Sequence, residues 1–220
     1  PGELFRRVAR HVAGAEKRFR SAVSASEAEE TFYDMMRELA FLPNSPTLMN
    51  AGTALGQLSA CFVLPVDDSI DGIFGALRHM AKIHQSGGGT GFSFSHLRPK
   101  GDLVRTTKGE ASGPVSFMSI FDAATGVIVQ GGRRRGANMG ILRCDHPDVM
   151  EFIEAKIDRG RFANFNLSVA VTDRFMDAVR RNGGFDLVNP RTGKKDRTVR
   201  ARTIFDLIVY GAWRTGDPGL

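Results

Sequence analysis

The sequence predicts an α/β fold that is preceded by a helical segment. Apolar residues recur at helical spacing over residues 3–42, without the alternation that is typical of a strand. From Cys61 onward, short apolar runs alternate with longer stretches at helical spacing. Because strands that alternate with helices usually form a parallel sheet, we divide the chain into a helical segment, residues 1–50, and an α/β domain, residues 51–220.

The helical segment begins with an apolar stripe from Leu4. Ser26 is predicted as the N-cap of a second helix, because a glutamate, Glu29, follows it three positions later. Pro43 is expected to end the helical part.

The α/β domain contains four predicted strands, at residues 61–66, 91–97, 139–144 and 166–171. Its helices are predicted at residues 70–84, at 114–130, after Pro147, after a capping Thr172, and at 203–213. Residues 189–195 have the Pro, Gly and basic residues of a hairpin-like surface loop. Residues 216–219 form a turn signal that normally leads to another element, so we expect the chain to be part of a longer protein.

Composition excludes several classes of protein. With 42% apolar and 25% charged residues among 220, the chain has the balance of a globular domain. No apolar run approaches the roughly 18–20 residues that span a bilayer, and the first residues lack the apolar core of a signal peptide. We therefore expect a cytoplasmic protein whose two cysteines are reduced thiols.

The net charge is positive, at +6, and the pI is near 9.7. Such a balance suits an anionic partner, but it also describes a basic, soluble surface. Charge alone does not distinguish between a nucleic-acid ligand, a nucleotide ligand and a basic surface that binds neither.

Residues 130–140, with the sequence QGGRRRGANMG, are the most informative segment. Glycine permits positive φ angles and close approach to a ligand, while arginine binds phosphates and base edges at two points. The segment therefore indicates a movable loop that binds an anion. Single-stranded nucleic acid is an alternative ligand, although no aromatic residue is interleaved to stack on bases.

A second glycine-rich segment, SGGGTG at residues 86–91, follows a helix and enters a strand. This order and spacing exclude a dinucleotide fingerprint and a P-loop. A close approach to a ligand and a tight turn remain equally open. Downstream of it, Arg98, Lys100 and Arg105 indicate either a triphosphate cradle or a solvated turn.

The acidic run DDSID at residues 67–71 precedes a predicted helix. Its side chains could cap the helix, accept a hydrogen bond from a ribose hydroxyl, or do both.

The cysteines and histidines provide little evidence for a metal. Cys61 begins a strand, where a small buried side chain is the usual role, while a redox thiol would need exposure and a partner. Cys144 and His146 are only two candidate ligands, so Cys144 is predicted to pack at the end of its strand. His79, His84 and His96 lack the spacing of a zinc site, and we predict no metal.

Six motifs taken in order resemble the large, catalytic subunit of ribonucleotide reductase, and their wording is most similar to the adenosylcobalamin-dependent class. The motifs are FLPNSPTLMN at 41–50, LSAC at 58–61, DDSI at 67–70, SGGGTG at 86–91, LRPKG at 97–101 and QGGRRRGANMG at 130–140. The resemblance implies a ten-stranded α/β barrel made of two five-stranded halves. Residues 51–220 would form the first half, after the helical segment.

The resemblance also implies a thiyl-radical reduction of ribonucleotides, in which a cysteine pair supplies two electrons and becomes a disulfide. Cys61 matches one of the reducing pair, which is catalytic. Ser45, Ala60 and Gly89 match positions that line the substrate, and Gln130 and Arg134 match positions that touch the substrate base.

A deoxynucleoside triphosphate effector is the second implied ligand. Its binding residues would be Asp68, Ser69 and Ile70 at the sugar, and Arg98 and Arg105 at the phosphates. Residues 130–140 would then couple the effector to the choice of substrate.

The implied partners are a ribonucleoside di- or triphosphate, a thioredoxin-like reductant, the remaining half of the enzyme and a second copy in a homodimer, with no membrane. Adenosylcobalamin is the implied cofactor, although no residue here matches a cobalamin-binding position. The radical cysteine and the second reducing cysteine would lie beyond Leu220. A non-catalytic nucleotide-binding or regulatory module, and a nucleic-acid-binding module, are the alternatives.

Overall fold

A computed structural model describes residues 1–19, 22–104, 108–128, 136–157 and 160–220. The chain forms two compact units. The helical unit comprises Pro1–Phe62 and Ser86–Gly88, and the α/β unit comprises Val63–Gln85 and Gly89–Leu220. The predicted domain boundary after residue 50 stays a prediction.

The helical unit contains three α-helices, α1 (Gly2–Ala13), α2 (Ala25–Arg37) and α3 (Ser45–Asn50), with a 3-10 turn at Gly14–Arg18. Helices α1 and α2 pack on each other around a small apolar cluster. The prediction of Ser26 as the N-cap of α2 is wrong. Ser24 caps this helix, since its backbone is extended and its hydroxyl accepts a hydrogen bond from the Glu27 amide at 3.2 Å.

The other elements follow in the order β1 (Cys61–Leu64), α4 (Ile70–Gln85), β2 (Gly89–Ser93), β3 (Leu103–Val104), β4 (Gly109–Glu110), α5 (Pro114–Val127), β5 (Asn138–Arg143), α6 (Val149–Glu154), β6 (Phe165–Ala170), α7 (Asp173–Arg180), β7 (Gly184–Val188), β8 (Lys195–Arg200) and α8 (Ala201–Thr215). The main sheet has the strand order β1-β2-β5-β6, and the pairs β2–β5 and β5–β6 are parallel. The predicted fold class, a helical segment followed by parallel strands that alternate with helices, is confirmed.

Phenylalanines fill the core of the α/β unit. Phe92, Phe94, Phe121 and Phe165 are almost completely buried, and the ring centroids of Phe92 and Phe121 lie 4.9 Å apart in an edge-on arrangement. Strands β5 and β6 bury alternate residues. Helix α5 begins at Pro114, which has no amide hydrogen to leave unpaired in the first turn.

Two strands and one helix are shorter than predicted. Strand β2 ends at Ser93 instead of residue 97, because the chain turns there and the Leu97 amide donates to the Phe94 carbonyl at 3.1 Å. Strand β1 ends at Leu64, immediately before Pro65. Helix α5 ends at Val127, short of the predicted residue 130.

The end of the chain confirms two sequence predictions. Strands β7 and β8 form an antiparallel hairpin around the predicted surface loop. Helix α8 ends at Thr215 and is followed by Gly216 in the left-handed conformation. Gly219 then forms a parallel bridge with Ser168 of β6. The turn thus leads the chain to the sheet. Within the described ranges, no helix combines the length and apolar character needed to cross a bilayer.

Candidate functional site

Cys61, the predicted redox residue, is the first residue of β1 and is exposed to solvent. The usual role for such a cysteine, a small buried side chain, is therefore wrong for Cys61. The preceding Ala60 is half-buried. An exposed thiol can meet a substrate or an exchanging thiol, which a buried one cannot.

Helix α3 is positioned by its own polar residues. Asn44 caps it, since its side-chain oxygen accepts a hydrogen bond from the Thr47 amide at 2.9 Å. Pro46 follows in the first turn. At the other end, the Arg7 guanidinium donates to the Ala51 carbonyl and, at 2.8 Å, to the Leu48 carbonyl, which have no partner within the helix. This arrangement fixes the exposed Ser45 at the start of the helix.

Two buried side chains of α3 hold the loop that leads to Cys61. The Thr47 hydroxyl donates to the Leu58 carbonyl at 2.9 Å, and the Asn50 amide donates to the Gln57 carbonyl, also at 2.9 Å. The Ser86 hydroxyl in turn donates to the side chain of Gln57. The helix that carries Ser45, the loop that carries Ala60 and Cys61, and the first residues of the 86–91 motif are therefore joined within the helical unit.

The remaining predicted substrate residues lie elsewhere. Gly89 is the first residue of β2 and belongs to the α/β unit. Gln130 and Arg134 lie outside the described residues. Sequence reasoning had not selected Thr47 and Asn50, although two polar residues within the apolar end of the 41–50 motif were a visible signal.

Asp68 and Arg98, two predicted effector residues, are hydrogen-bonded to each other. Asp68 Oδ2 accepts from Arg98 Nε at 2.9 Å, and Asp68 Oδ1 accepts from the Arg98 backbone amide at 3.1 Å. Both side chains are only partly exposed, at 23% and 22%. Asp68 thus orients the guanidinium from its Nε side.

Two other predicted effector residues, Ser69 and Ile70, lie at the start of α4. Ser69 Oγ accepts a hydrogen bond from the Gly72 amide at 3.0 Å, so this hydroxyl caps the first turn of α4. Ile70 is the first residue of the helix and its side chain is 62% exposed. Arg105 lies outside the described residues.

The turn that carries Arg98 is held on both sides by the buried His146 and the half-buried Asp148. Nε2 of His146 donates to the Leu97 carbonyl at 2.9 Å, while Nδ1 accepts from the Asp148 amide at 3.0 Å. Asp148 Oδ2 accepts from the Lys100 amide at 2.8 Å. Burial lowers the pKa of His146 and raises that of Asp148. These two residues hold the Arg98 turn in place.

Cys144 is completely buried, which confirms its predicted packing role. Burial raises the pKa of its thiol. It therefore has none of the features of an exchanging thiol.

The tip of the β7–β8 hairpin contacts Asp102, which follows the turn that carries Arg98. Arg191 makes a two-point contact with Asp102, through Nε at 2.9 Å and Nη2 at 2.8 Å, and Asn189 donates to the same carboxylate at 3.1 Å. The hydrogen bond from Arg191 holds the pKa of Asp102 down to about 2. Sequence reasoning placed residues 189–195 in a surface loop and missed this contact, because 89 positions separate the two side chains.

Comparison with protein families matches almost the whole chain. Residues 1–56 match the model described as ribonucleotide reductase, all-alpha domain, and residues 59–220 match ribonucleotide reductase, barrel domain. The chain belongs to the ribonucleotide reductase family.

Individual ribonucleotide reductases agree with this assignment. The chain is 61% identical over 198 residues to a vitamin B12-dependent ribonucleoside-diphosphate reductase of Thermoplasma acidophilum, covering 90% of this chain and 26% of the relative. It is 53% identical over 220 residues to a reductase of the same name from Mycobacterium tuberculosis, covering 100% of this chain and 32% of the relative.

A relative whose name does not mention vitamin B12 is also similar. The identity to the ribonucleoside-diphosphate reductase large subunit of Arabidopsis thaliana is 34% over 214 residues, with 84% of this chain and 26% of the relative covered. The chain thus spans about a quarter to a third of the length of these relatives.

The described residues do not fit a cobalamin site. One cavity of the helical unit, of about 670 Å³, is a charged surface depression lined by Arg6, Arg7 and Arg10. A second, of about 210 Å³, is apolar but too small for a corrin ring. Both ring nitrogens of the buried His146 are hydrogen-bonded to protein groups, and the buried His84 is hydrogen-bonded to Thr90 through Nε2. We therefore assign no cobalamin ligand in this part of the ribonucleotide reductase chain.

Proposed function

We propose that this chain is the N-terminal part of an adenosylcobalamin-dependent ribonucleotide reductase that converts ribonucleotides to deoxyribonucleotides. The observation that carries the proposal is the placement of Cys61. Its thiol is exposed at the start of β1, and the loop before it is hydrogen-bonded to the helix that begins with Ser45. The family membership and the names of the B12-dependent relatives support the class.

In the proposed reaction, the bond between C2′ and the 2′ oxygen of the ribose breaks, a hydrogen takes the place of the hydroxyl on C2′, and the oxygen leaves as water. Two thiols, one of them Cys61, supply the two electrons and form a disulfide, which a thioredoxin-like dithiol then reduces by exchange. The second thiol is assigned to the remaining half of the enzyme. Cys144 does not suit this role, because its side chain is completely buried.

The substrate is a ribonucleoside di- or triphosphate, held by Ser45, Ala60 and Gly89, with Gln130 and Arg134 at its base. The exposure of Ser45 at a helix start supports this assignment. Adenosylcobalamin would supply the radical chemistry when bound. The roles proposed for the residues named here are to hold the substrate and to supply electrons from a thiol.

The effector of the proposed enzyme is a deoxynucleoside triphosphate bound by Asp68, Ser69, Ile70, Arg98 and Arg105. The contact between Asp68 and Arg98 supports a shared site, since it presents a carboxylate and an oriented guanidinium together. A carboxylate can accept from a ribose hydroxyl, and a guanidinium can bind phosphate at two points. A homodimer and a cytoplasmic location complete the proposal.

The test uses the full-length protein with adenosylcobalamin, a dithiol reductant and each of the common ribonucleotides. We expect a deoxyribonucleotide product whose identity depends on the deoxynucleoside triphosphate added. Binding of the effector without any reduction, even when the remaining half is supplied separately, would instead favour a non-catalytic nucleotide-binding module. The contact between Asp68 and Arg98, which presents a carboxylate beside an oriented guanidinium, is the observation that keeps this second candidate.

A further inference from the structure

A chain of four buried polar side chains crosses the α/β unit, and none of them has a role in the site described above. They are His84 at the end of α4, Thr90 in β2, Asn138 in β5 and Thr125 near the end of α5. Their exposed fractions are 0%, 4%, 2% and 4%. Because a buried polar group is costly unless it is hydrogen-bonded, each of these four side chains needs a hydrogen-bond partner within the fold.

The hydrogen bonds of these four side chains all donate in one direction, from His84 towards the Phe121 carbonyl. The Thr90 hydroxyl donates to Asn138 Oδ1 at 2.7 Å, so it must accept from Nε2 of His84, 3.0 Å away. Nδ2 of Asn138 donates to the Thr125 hydroxyl at 2.8 Å, which in turn donates to the Phe121 carbonyl at 2.8 Å. His84 therefore carries its proton on Nε2. Burial lowers the pKa of His84, which favours the neutral form of the ring.

These side chains lie at both ends of the segment that contains Gln130 and Arg134. Thr125 precedes this segment in the last turn of α5, and Asn138 follows it as the first residue of β5. The hydrogen bond between them closes the segment at its base. Strand β2 is joined to the same point, because the Thr90 amide donates to the Ala137 carbonyl at 3.0 Å.

The ring of His84 also restricts the segment where it re-enters the fold at Gly136. A Cβ atom on Gly136 would lie 2.8 Å from Nδ1 of His84 and 3.1 Å from the methyl group of Thr125. Nδ1 itself is buried and has no hydrogen-bond partner among the residues that the structure describes. The backbone at Gly136 therefore passes directly against the imidazole and the threonine.

We propose that Thr125 and Asn138 are positioning residues for substrate selection. Their hydrogen bond fixes the distance between the two ends of the segment that carries Gln130 and Arg134. Coupling between two sites depends on how the residues between them are held, so the loss of this hydrogen bond would weaken the coupling between effector and substrate. This inference rests on the proposed function, because it concerns the choice of ribonucleotide by an effector-controlled reductase.

The test compares Thr125→Val with Thr125→Ser in the full-length enzyme. Valine keeps the shape of threonine and removes the hydroxyl, whereas serine keeps the hydroxyl. Rates for two competing ribonucleotides, measured with and without each deoxynucleoside triphosphate, give the selectivity that the effector imposes. A coupling of this kind typically corresponds to about 5- to 150-fold.

We expect Thr125→Val to reduce the effector-imposed selectivity to within about twofold of the effector-free ratio, and Thr125→Ser to retain most of it. The effector-free rate should stay within about twofold of wild type in both variants, since the Thr125 side chain is buried and bonded to protein groups. Equal selectivity in wild type and Thr125→Val would overturn the inference, and so would an equal loss in the valine and serine variants.

A matched control is Ser95→Ala. Ser95 is also buried, at 5% exposure, and its hydroxyl accepts from the Arg143 amide at 3.1 Å, at the opposite end of β5. Its removal should leave selectivity unchanged, and the same loss as in Thr125→Val would overturn the inference. If Thr125→Val does not fold, Gly136→Ala displaces the other end of the segment, against His84 and Thr125, and should give the same loss. Unchanged selectivity in that variant would also count against the inference.

The outcomes separate this inference from the proposed function. A wild-type enzyme that reduces no ribonucleotide would refute the function and this inference together. Effector-controlled reduction that is insensitive to the Thr125 hydroxyl would refute the inference alone.

Discussion

The two units of the chain are stabilised in different ways. The helical unit has a small apolar cluster centred on Val8 and Met36, and polar contacts to the backbone fix its third helix. The α/β unit has a continuous core with several buried phenylalanines, among them Phe92 and Phe121. The loop before the predicted redox thiol is therefore held by single side-chain hydrogen bonds from α3, while the predicted effector residues belong to the unit with the larger core.

The largest loss of stability is expected in the core of the α/β unit. Phe121→Ala should lower the free energy of unfolding by about 3–5 kcal/mol, because it leaves a cavity between Phe92 and Phe94. Chemical denaturation measures this cost. Phe19→Ala, at a side chain that is 69% exposed, is the control and should have little effect. A cost below about 1 kcal/mol for Phe121→Ala would contradict the account of the core.

A smaller loss with a local consequence is expected from Asn50→Ala in the helical unit. This substitution leaves the Gln57 carbonyl without its side-chain donor and should cost about 1–3 kcal/mol. It should also change the rate at which a small alkylating reagent modifies Cys61, since the loop before the thiol loses a tether. Asn166→Ala, at an exposed position of β6, is the matched control. An unchanged alkylation rate in folded Asn50→Ala would mean that α3 does not position the thiol.

A weaker effect, visible through its pH dependence, is expected from the contact between Asp102 and Arg191. The pKa of Asp102 is about 2 in the folded chain, below the ordinary value of 3.8, so the unfolded chain takes up this proton first as the pH falls. The stability from this pair is complete above about pH 4 and is lost as the pH falls through about 2.

Arg191→Met should remove that part of the acid sensitivity, and its effect at neutral pH should be smaller than that of Asn50→Ala, because the pair lies close to solvent. Denaturation curves recorded between about pH 2 and pH 7 test this, with Arg181→Met, at an exposed residue, as the control. Identical acid sensitivity in wild type and Arg191→Met would show that the pair contributes nothing.

The order of the elements could be predicted from the sequence, because apolar periodicity and capping act over a few residues. Thr172 was correctly predicted to cap α7, and its hydroxyl accepts from the Phe175 amide at 3.2 Å. The cap of α2 was placed two residues too late, since both Ser24 and Ser26 have suitable side chains. N-cap propensity alone cannot choose between two serines that lie two residues apart.

The site residues needed more than local pattern. The resemblance to a family selected Cys61 and Ser45, but it gave no reason for their positions. Thr47 and Asn50 supply that reason through bonds to carbonyls 11 and 7 positions away. The bond of Arg191 to Asp102 depends on how the β7–β8 hairpin folds back, which no short window of sequence contains.

The smallest change in stability is expected for the residue with the largest proposed effect on activity. Cys61→Ser alters an exposed side chain and should change the free energy of unfolding by less than about 0.5 kcal/mol. The Cys61→Ser substitution is therefore expected to change the chemistry of the site and to leave the stability of the fold almost unchanged.

Multiple turnover of the full-length enzyme with a dithiol reductant tests the proposed role of Cys61 most directly. We expect wild type to form many deoxyribonucleotides per enzyme and Cys61→Ser to form none, while calorimetry shows unchanged binding of the deoxynucleoside triphosphate effector. Undiminished turnover in Cys61→Ser would contradict the assignment of Cys61 as one of the two reducing thiols.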